Sequence, residues 1–237
     1  MNRTIVRLGL RSVFGRRRGI LLFVLPVVLI GLGLLVRLLA GATGDNAETV
    51  LDELGLTIVV PLVALIATTG LLAPEIDDGS ISYLLAKPVS RHTIVLSKLV
   101  VAVGCVLVFA ALPMLVTGLL IAPDEPRLAL GYAIGTLAGG TAYAALFALL
   151  SVLTKHAVVV GLIYLLVWET LVGSLLDGVR WFSIARWSSV VVEEVTSVDV
   201  AQRLGPAYAV SALAVVILGA TYLTGRRLRS FNLTGED

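Results

Sequence analysis

The chain is poor in the residues that catalytic and redox chemistry draws on. Its 237 residues include a single cysteine and two histidines. Cys105 therefore has no disulfide partner within the chain, and its place in an apolar run suits a buried structural thiol. His92 and His156 belong to no H-E-x-x-H pattern, so no metal site is expected. No G-x-x-x-x-G-K-[ST] occurs, which leaves nothing to cradle nucleotide phosphates, and no G-x-S-x-G elbow supplies a serine nucleophile. Charged residues make up only 14% and aromatic residues 6%. Nothing in this balance favours a nucleic-acid partner.

What the chain has in abundance is apolar length. Hydrophobic residues account for 58% and the mean hydropathy is +1.00, far above a soluble average. A bilayer core takes about 20 apolar residues per helical crossing. Six stretches meet that test, at about 19–40, 57–74, 95–121, 129–153, 156–176 and 207–225. They leave no room for a separate soluble catalytic domain. The expectation is one all-α polytopic membrane domain over 1–237, with six transmembrane helices. The first apolar run approaches a full span, longer than the ~7–15 residues of a signal-peptide core, and reads as an uncleaved first helix.

Charge sets the expected orientation. Most of the 18 Lys and Arg residues fall before the first span (Arg3, Arg7, Arg11, Arg16–Arg18), between the second and third (Lys87, Arg91, Lys98), at Lys155, and in the tail (Arg226, Arg227, Arg229). The connection GATGDNAETVLDEL between the first two spans has four carboxylates and no base. Both termini are thus expected in the cytoplasm of a cell (plasma or inner) membrane. Arg3, Arg7 and Arg11 share one helical face, and 2–17 reads as an amphipathic helix lying in the interface. A plain basic flank is the alternative.

Within the spans, Gly131, Gly135 and Gly139 recur every fourth residue and make a flat face for close helix packing. Pro26 and Pro113 should kink their helices. Glu169 is the one carboxylate deep in a span, where a charge costs a few kcal/mol unless it is paired, protonated or hydrated. It reads either as a polar point on a pathway or subunit interface, or as a carboxyl bonded to Thr170 or a neighbouring helix. The outer segment 178–206 holds WFSIARW and VVVEEV, pieces too short to cross. It reads as a re-entrant hairpin, with Trp181, Phe182 and Trp187 at the membrane interface.

The remaining polar stretch, EIDDGSISYLLAKPVSRHTIVLSK over 75–98, interrupts the apolar pattern on the basic side. Asp77 or Asp78 can cap a short helix at Gly79-Ser80, and Pro88 ends it soon after Lys87. Ile81, Leu84 and Leu85 share a face, while Tyr83, Lys87 and Arg91 are polar contacts at its rim. Glu75, Gly79-Ser80, Leu84-Leu85, Pro88-Val89-Ser90-Arg91 and Lys98 together resemble the signature of ABC-2 type transporter permeases. Ser80 stands where threonine is more usual in that pattern, which keeps the hydroxyl.

That resemblance implies a coupling helix inserted into a separate P-loop ATPase subunit, with ATP and Mg bound there and no cofactor on this chain. It implies pairing with a second copy or homologue to form a translocation pathway, and it favours export. A membrane module for assembly, sensing or immunity, coupled to an ATPase without transporting, is the alternative. An intramembrane protease has little support. The Glu193-Glu194 pair lacks the arginine that would follow it (Val198 stands there) and the spaced histidine.

Overall fold

The computed structural model describes residues 18–77, 91–172, 179–196 and 204–230. The expected interfacial helix at 2–17 lies outside them, as do 78–90. Among the described residues every regular element is helical and there is no strand. α1 is Arg18–Ala40. α2 runs without a break through Gly44–Thr49, Val50–Val59 and Val60–Asp77. α3 joins Arg91–Val106, Leu107–Ala111 and Leu112–Ile121. α4 is Pro126–Leu153, and α5 joins Ala157–Ile163 to Tyr164–Val172. A 3₁₀ turn at Val179–Phe182 leads into α6, Ile184–Thr196, and α7 is Pro206–Ser230.

Five described helices have the length and composition to cross a membrane: Gly19–Ala40, Gly44–Leu71, Thr93–Ile121, Pro126–Leu153 and Pro206–Leu228. The chain is an all-α polytopic membrane protein. The predicted fifth span, 156–176, is described as helix over Ala157–Val172, short of that length.

Two expectations about connections need correction. The acidic stretch after the first span is not a loop, because α2 begins at Gly44 and runs straight through it. The true turn is Gly41–Thr43. Gly41 adopts φ 96, the left-handed conformation that ends a helix, and its N–H donates to the Arg37 carbonyl at 3.2 Å. Thr43 then accepts from the Asn46 N–H at 3.4 Å as the N-cap of α2. Carboxylates in the first turns suit the positive end of the helix dipole. At the other end of α2, Glu75 lies in the helix, which continues to Asp77, and α3 already starts at Arg91.

The prolines act through wide π turns. Pro61 follows the π segment Val50–Val59, and Pro113 follows Leu107–Ala111. A proline removes one N–H and crowds the carbonyl four residues earlier, here Thr57 and Phe109. Both carbonyls lie in the π segments, where the widened turn relieves the clash and keeps the helix continuous. α1 runs unbroken through Pro26.

α4 is the hub, in contact with α2, α3, α5, α6 and α7. Small residues let its neighbours approach. A Cβ at Gly140 would collide with Val106 of α3, and one at Gly118 of α3 would fall 2.9 Å from the Ala129 Cα of α4. Between these close contacts the core is filled by Leu65, Met114, Tyr143 and Phe147, all fully buried. The rings of Tyr143 and Phe147 stack at 5.9 Å.

Candidate functional site

The two helices that flank 78–90 are fastened together just inside the bundle. Lys98 of α3 is 3% exposed, and its ammonium donates to the Leu71 carbonyl of α2 at 2.7 Å. The side chain is thus withdrawn from water, and its charge sits near the C-terminal, electronegative end of α2. Nearby, Val95 of α3, Val152 of α4 and Leu228 of α7 form a small buried cluster of their own. Of the residues expected to meet a partner, Asp78, Gly79, Ser80, Ile81, Tyr83, Leu84, Leu85, Lys87 and Pro88 lie outside the described residues. Glu75 and Arg91 are placed by backbone only, in the last turn of α2 and the first of α3.

At the opposite, acidic end, the outer segment folds down onto the bundle. Glu169 of α5 is buried, and its carboxylate accepts three hydrogen bonds. The donors are the Ser183 hydroxyl at 2.5 Å, the Ile184 N–H at 3.1 Å and the Tyr164 hydroxyl at 3.1 Å. Ser183 is the N-cap of α6, its oxygen accepting from the Arg186 N–H at 3.2 Å. Glu169 thus supplies from another helix an acceptor for the unpaired N–H groups at the N-terminus of α6. Two of its three donors belong to the outer segment, Ser183 and Ile184, and the third, Tyr164, lies one turn earlier on α5.

The turn before α6 is held equally firmly. The Trp181 carbonyl accepts from the Trp187 indole at 2.9 Å and from the Tyr208 hydroxyl of α7 at 3.0 Å. The Trp168 indole of α5 donates to the Phe182 carbonyl at 3.3 Å. Trp181 and Phe182 are exposed at this end, as an interfacial belt requires. Trp187 instead turns inward and is buried. Its indole N–H already has a partner in the turn, so the ring can be spent on packing.

The glycine face of α4 has its partner in α6. A Cβ at Gly135 would stand 2.5 Å from a Val192 methyl and 2.9 Å from the Ser188 carbonyl oxygen. At Gly131 it would strike Thr196, and at Gly139 the Ser188 hydroxyl. The sequence showed the stripe and left its partner open. A further tie was not visible in the sequence: the Ser189 hydroxyl donates to the Asp52 carboxylate of α2 at 2.9 Å. Beside this contact opens a cavity of about 210 Å³, lined in part by Glu48, Asp52, Glu53, Tyr132 and Glu193. Among the described residues no group of acidic, histidine or cysteine side chains is arranged to hold a metal ion.

Residues 32–232, most of the chain, match the family model described as ABC-2 family transporter protein. The chain belongs to that family. No curated protein matches it. Membership makes this ABC-2 family transporter protein a multi-pass permease component of an ABC transporter, in a family whose transmembrane chains are generally not catalytic. The family match encloses both ends of the bundle, from the middle of α1 to beyond α7.

Proposed function

We propose that this chain is the transmembrane subunit of an ATP-driven exporter. Two copies, or this chain and a homologue, form the pathway, and each docks one P-loop ATPase through the helix expected within 78–90. Both termini and that docking segment face the cytoplasm. The observation that carries this reading is the family match together with the place of the motif. It links α2 to α3 at the basic end, and the Lys98–Leu71 bond fastens those two helices side by side.

The mechanical argument is simple. A push on the docking segment reaches α2 and α3 together, because their adjoining ends are bonded and packed. α2 runs unbroken from that end to Asp52, which holds Ser189 of α6. Rigid-body displacement of packed helices is an ordinary means of carrying such a push across a membrane. Glu75, Asp78, Gly79, Ser80, Ile81, Tyr83, Leu84, Leu85, Lys87, Pro88 and Arg91 are the proposed docking residues, and ATP with Mg binds on the partner.

The test is co-purification. The tagged chain is extracted gently and compared with Leu84→Asp/Leu85→Asp, with bound proteins identified by mass spectrometry. A P-loop ATPase is expected with the native chain and not with the variant. A native chain that carries no ATPase, under conditions that keep other membrane complexes intact, overturns the docking reading. Substrate movement in vesicles with the reconstituted pair then separates transport from a purely regulatory role.

A further inference from the structure

At the basic end of the bundle an open groove of about 340 Å³ lies between α4 and α7, lined by Leu149, Leu153, Leu223, Arg226 and Arg227. Its composition is divided in two. Three leucines make an apolar wall, with Leu153 54% and Leu223 47% exposed. Two exposed arginines close the end, where the apolar part of α7 finishes at Leu228. Among the described residues no carboxylate lines the groove.

The structure assigns this groove to an anionic phospholipid of the adjoining leaflet, its phosphate held by Arg226 and Arg227 and an acyl chain laid along Leu149, Leu153 and Leu223. Four features support that occupant. Leu153 and Leu223 face outward from a bundle that sits in a membrane, where an acyl chain is the natural filling. The arginines stand where the last apolar turn of α7 meets the head groups, and guanidinium groups match a phosphate with two parallel hydrogen bonds. The Arg226 guanidinium carbon lies 5.9 Å over the Tyr222 ring, which restricts the side chain before a ligand arrives. Basic pockets between membrane helices are suited to anionic head groups, and a soluble phosphate would have no use for the leucine wall.

The experiment uses the full chain in mild detergent, offered phosphatidylglycerol or phosphatidylcholine, with retained lipid counted by native mass spectrometry. Phosphatidylglycerol is expected to be retained in preference. Arg226→Gln/Arg227→Gln should lower that retention roughly thirtyfold, about fivefold for each arginine at an anionic surface. Arg127→Gln, an exposed arginine at the opposite end, should leave it unchanged. Equal retention of both lipids, or an equal loss in Arg127→Gln, overturns the assignment. So does displacement of the lipid by millimolar inorganic phosphate, which would mark a water-soluble anion site. A double variant that keeps its lipid and loses a co-purifying ATPase would give the arginines to a protein contact instead, and also overturns it.

Discussion

α4 and α7 have nearly the same mean hydropathy, yet 61% of the apolar stretch of α4 is buried within the bundle against 22% of that of α7. Hydropathy sends both into the membrane. Depth within the protein is decided by side-chain size, because lipid is as apolar as leucine and gives no hydrophobic reason to bury one helix over another. α4 offers Gly131, Gly135, Gly139 and Gly140 with buried Ala142, Ala144, Ala145 and Ala148, so its neighbours can come close enough for dispersion to accumulate. α7 offers Val210, Val215, Leu218, Tyr222 and Leu223, all exposed. Its bulk holds neighbours away on that face.

The comparison breaks most readily at Gly135. Replacing it with leucine drives a side chain into Val192 and the Ser188 carbonyl, and α6 must leave its seat. A loss of about 3 kcal/mol is expected, at the upper end of overpacking effects, measured as thermal unfolding of the detergent-solubilised chain. Gly219 of α7 is the matched control, since a Cβ there meets nothing within 4 Å. Gly219→Leu should change stability by no more than about 0.5 kcal/mol. A large loss there would sharpen the comparison differently, by showing that α7 also seats a neighbour, such as a second copy of the chain.

Glu169→Ala ranks next. It leaves the Ser183 hydroxyl, the Ile184 N–H and the Tyr164 hydroxyl without their acceptor, for an expected loss of about 2 kcal/mol. The specific readout is the position of α6. In a Val190→Cys background, maleimide labelling at position 190 should rise when Glu169 is removed, while buried Cys105 stays slow. Unchanged labelling would mean that the glycine seat alone holds α6.

Ser189→Ala is expected to have the smallest effect. It removes one hydrogen bond to Asp52, worth about 1 kcal/mol. If α2 moves α6 through that bond, the variant should still unfold near the native temperature. Any ATP-dependent change in labelling at position 190 should nonetheless be weakened. A variant that keeps the full ATP response would show that α2 acts on α6 by packing alone.

Much of the architecture was legible because membrane insertion depends on local composition. Four of the five long helices contain the predicted spans nearly end to end, and the glycine stripe was visible by its spacing alone. The acidic connection was misread for a related reason. Four carboxylates within fourteen residues look like a loop by composition, but they line the outer turns of a helix whose other faces are apolar, with Val50, Leu51 and Leu56 buried. Period would have shown this where average polarity did not. The π turns before Pro61 and Pro113 had a visible cue in the prolines. The proline does not say how the chain absorbs it.

The sequence by itself determined that this is an all-helical membrane protein with a basic and an acidic end, and it carried the motif that marks the ABC-2 resemblance. Those properties belong to short windows of chain and survive without knowledge of neighbours. Only the tertiary structure decided that α6 occupies the glycine face of α4, that Glu169 caps α6, that Lys98 is buried against Leu71, and that Asp52 meets Ser189. Each joins residues whose separation along the chain, 137 positions for Asp52 and Ser189, leaves no periodic trace. Such contacts arise from the order in which small and large side chains allow helices to approach, a property of the packed bundle as a whole.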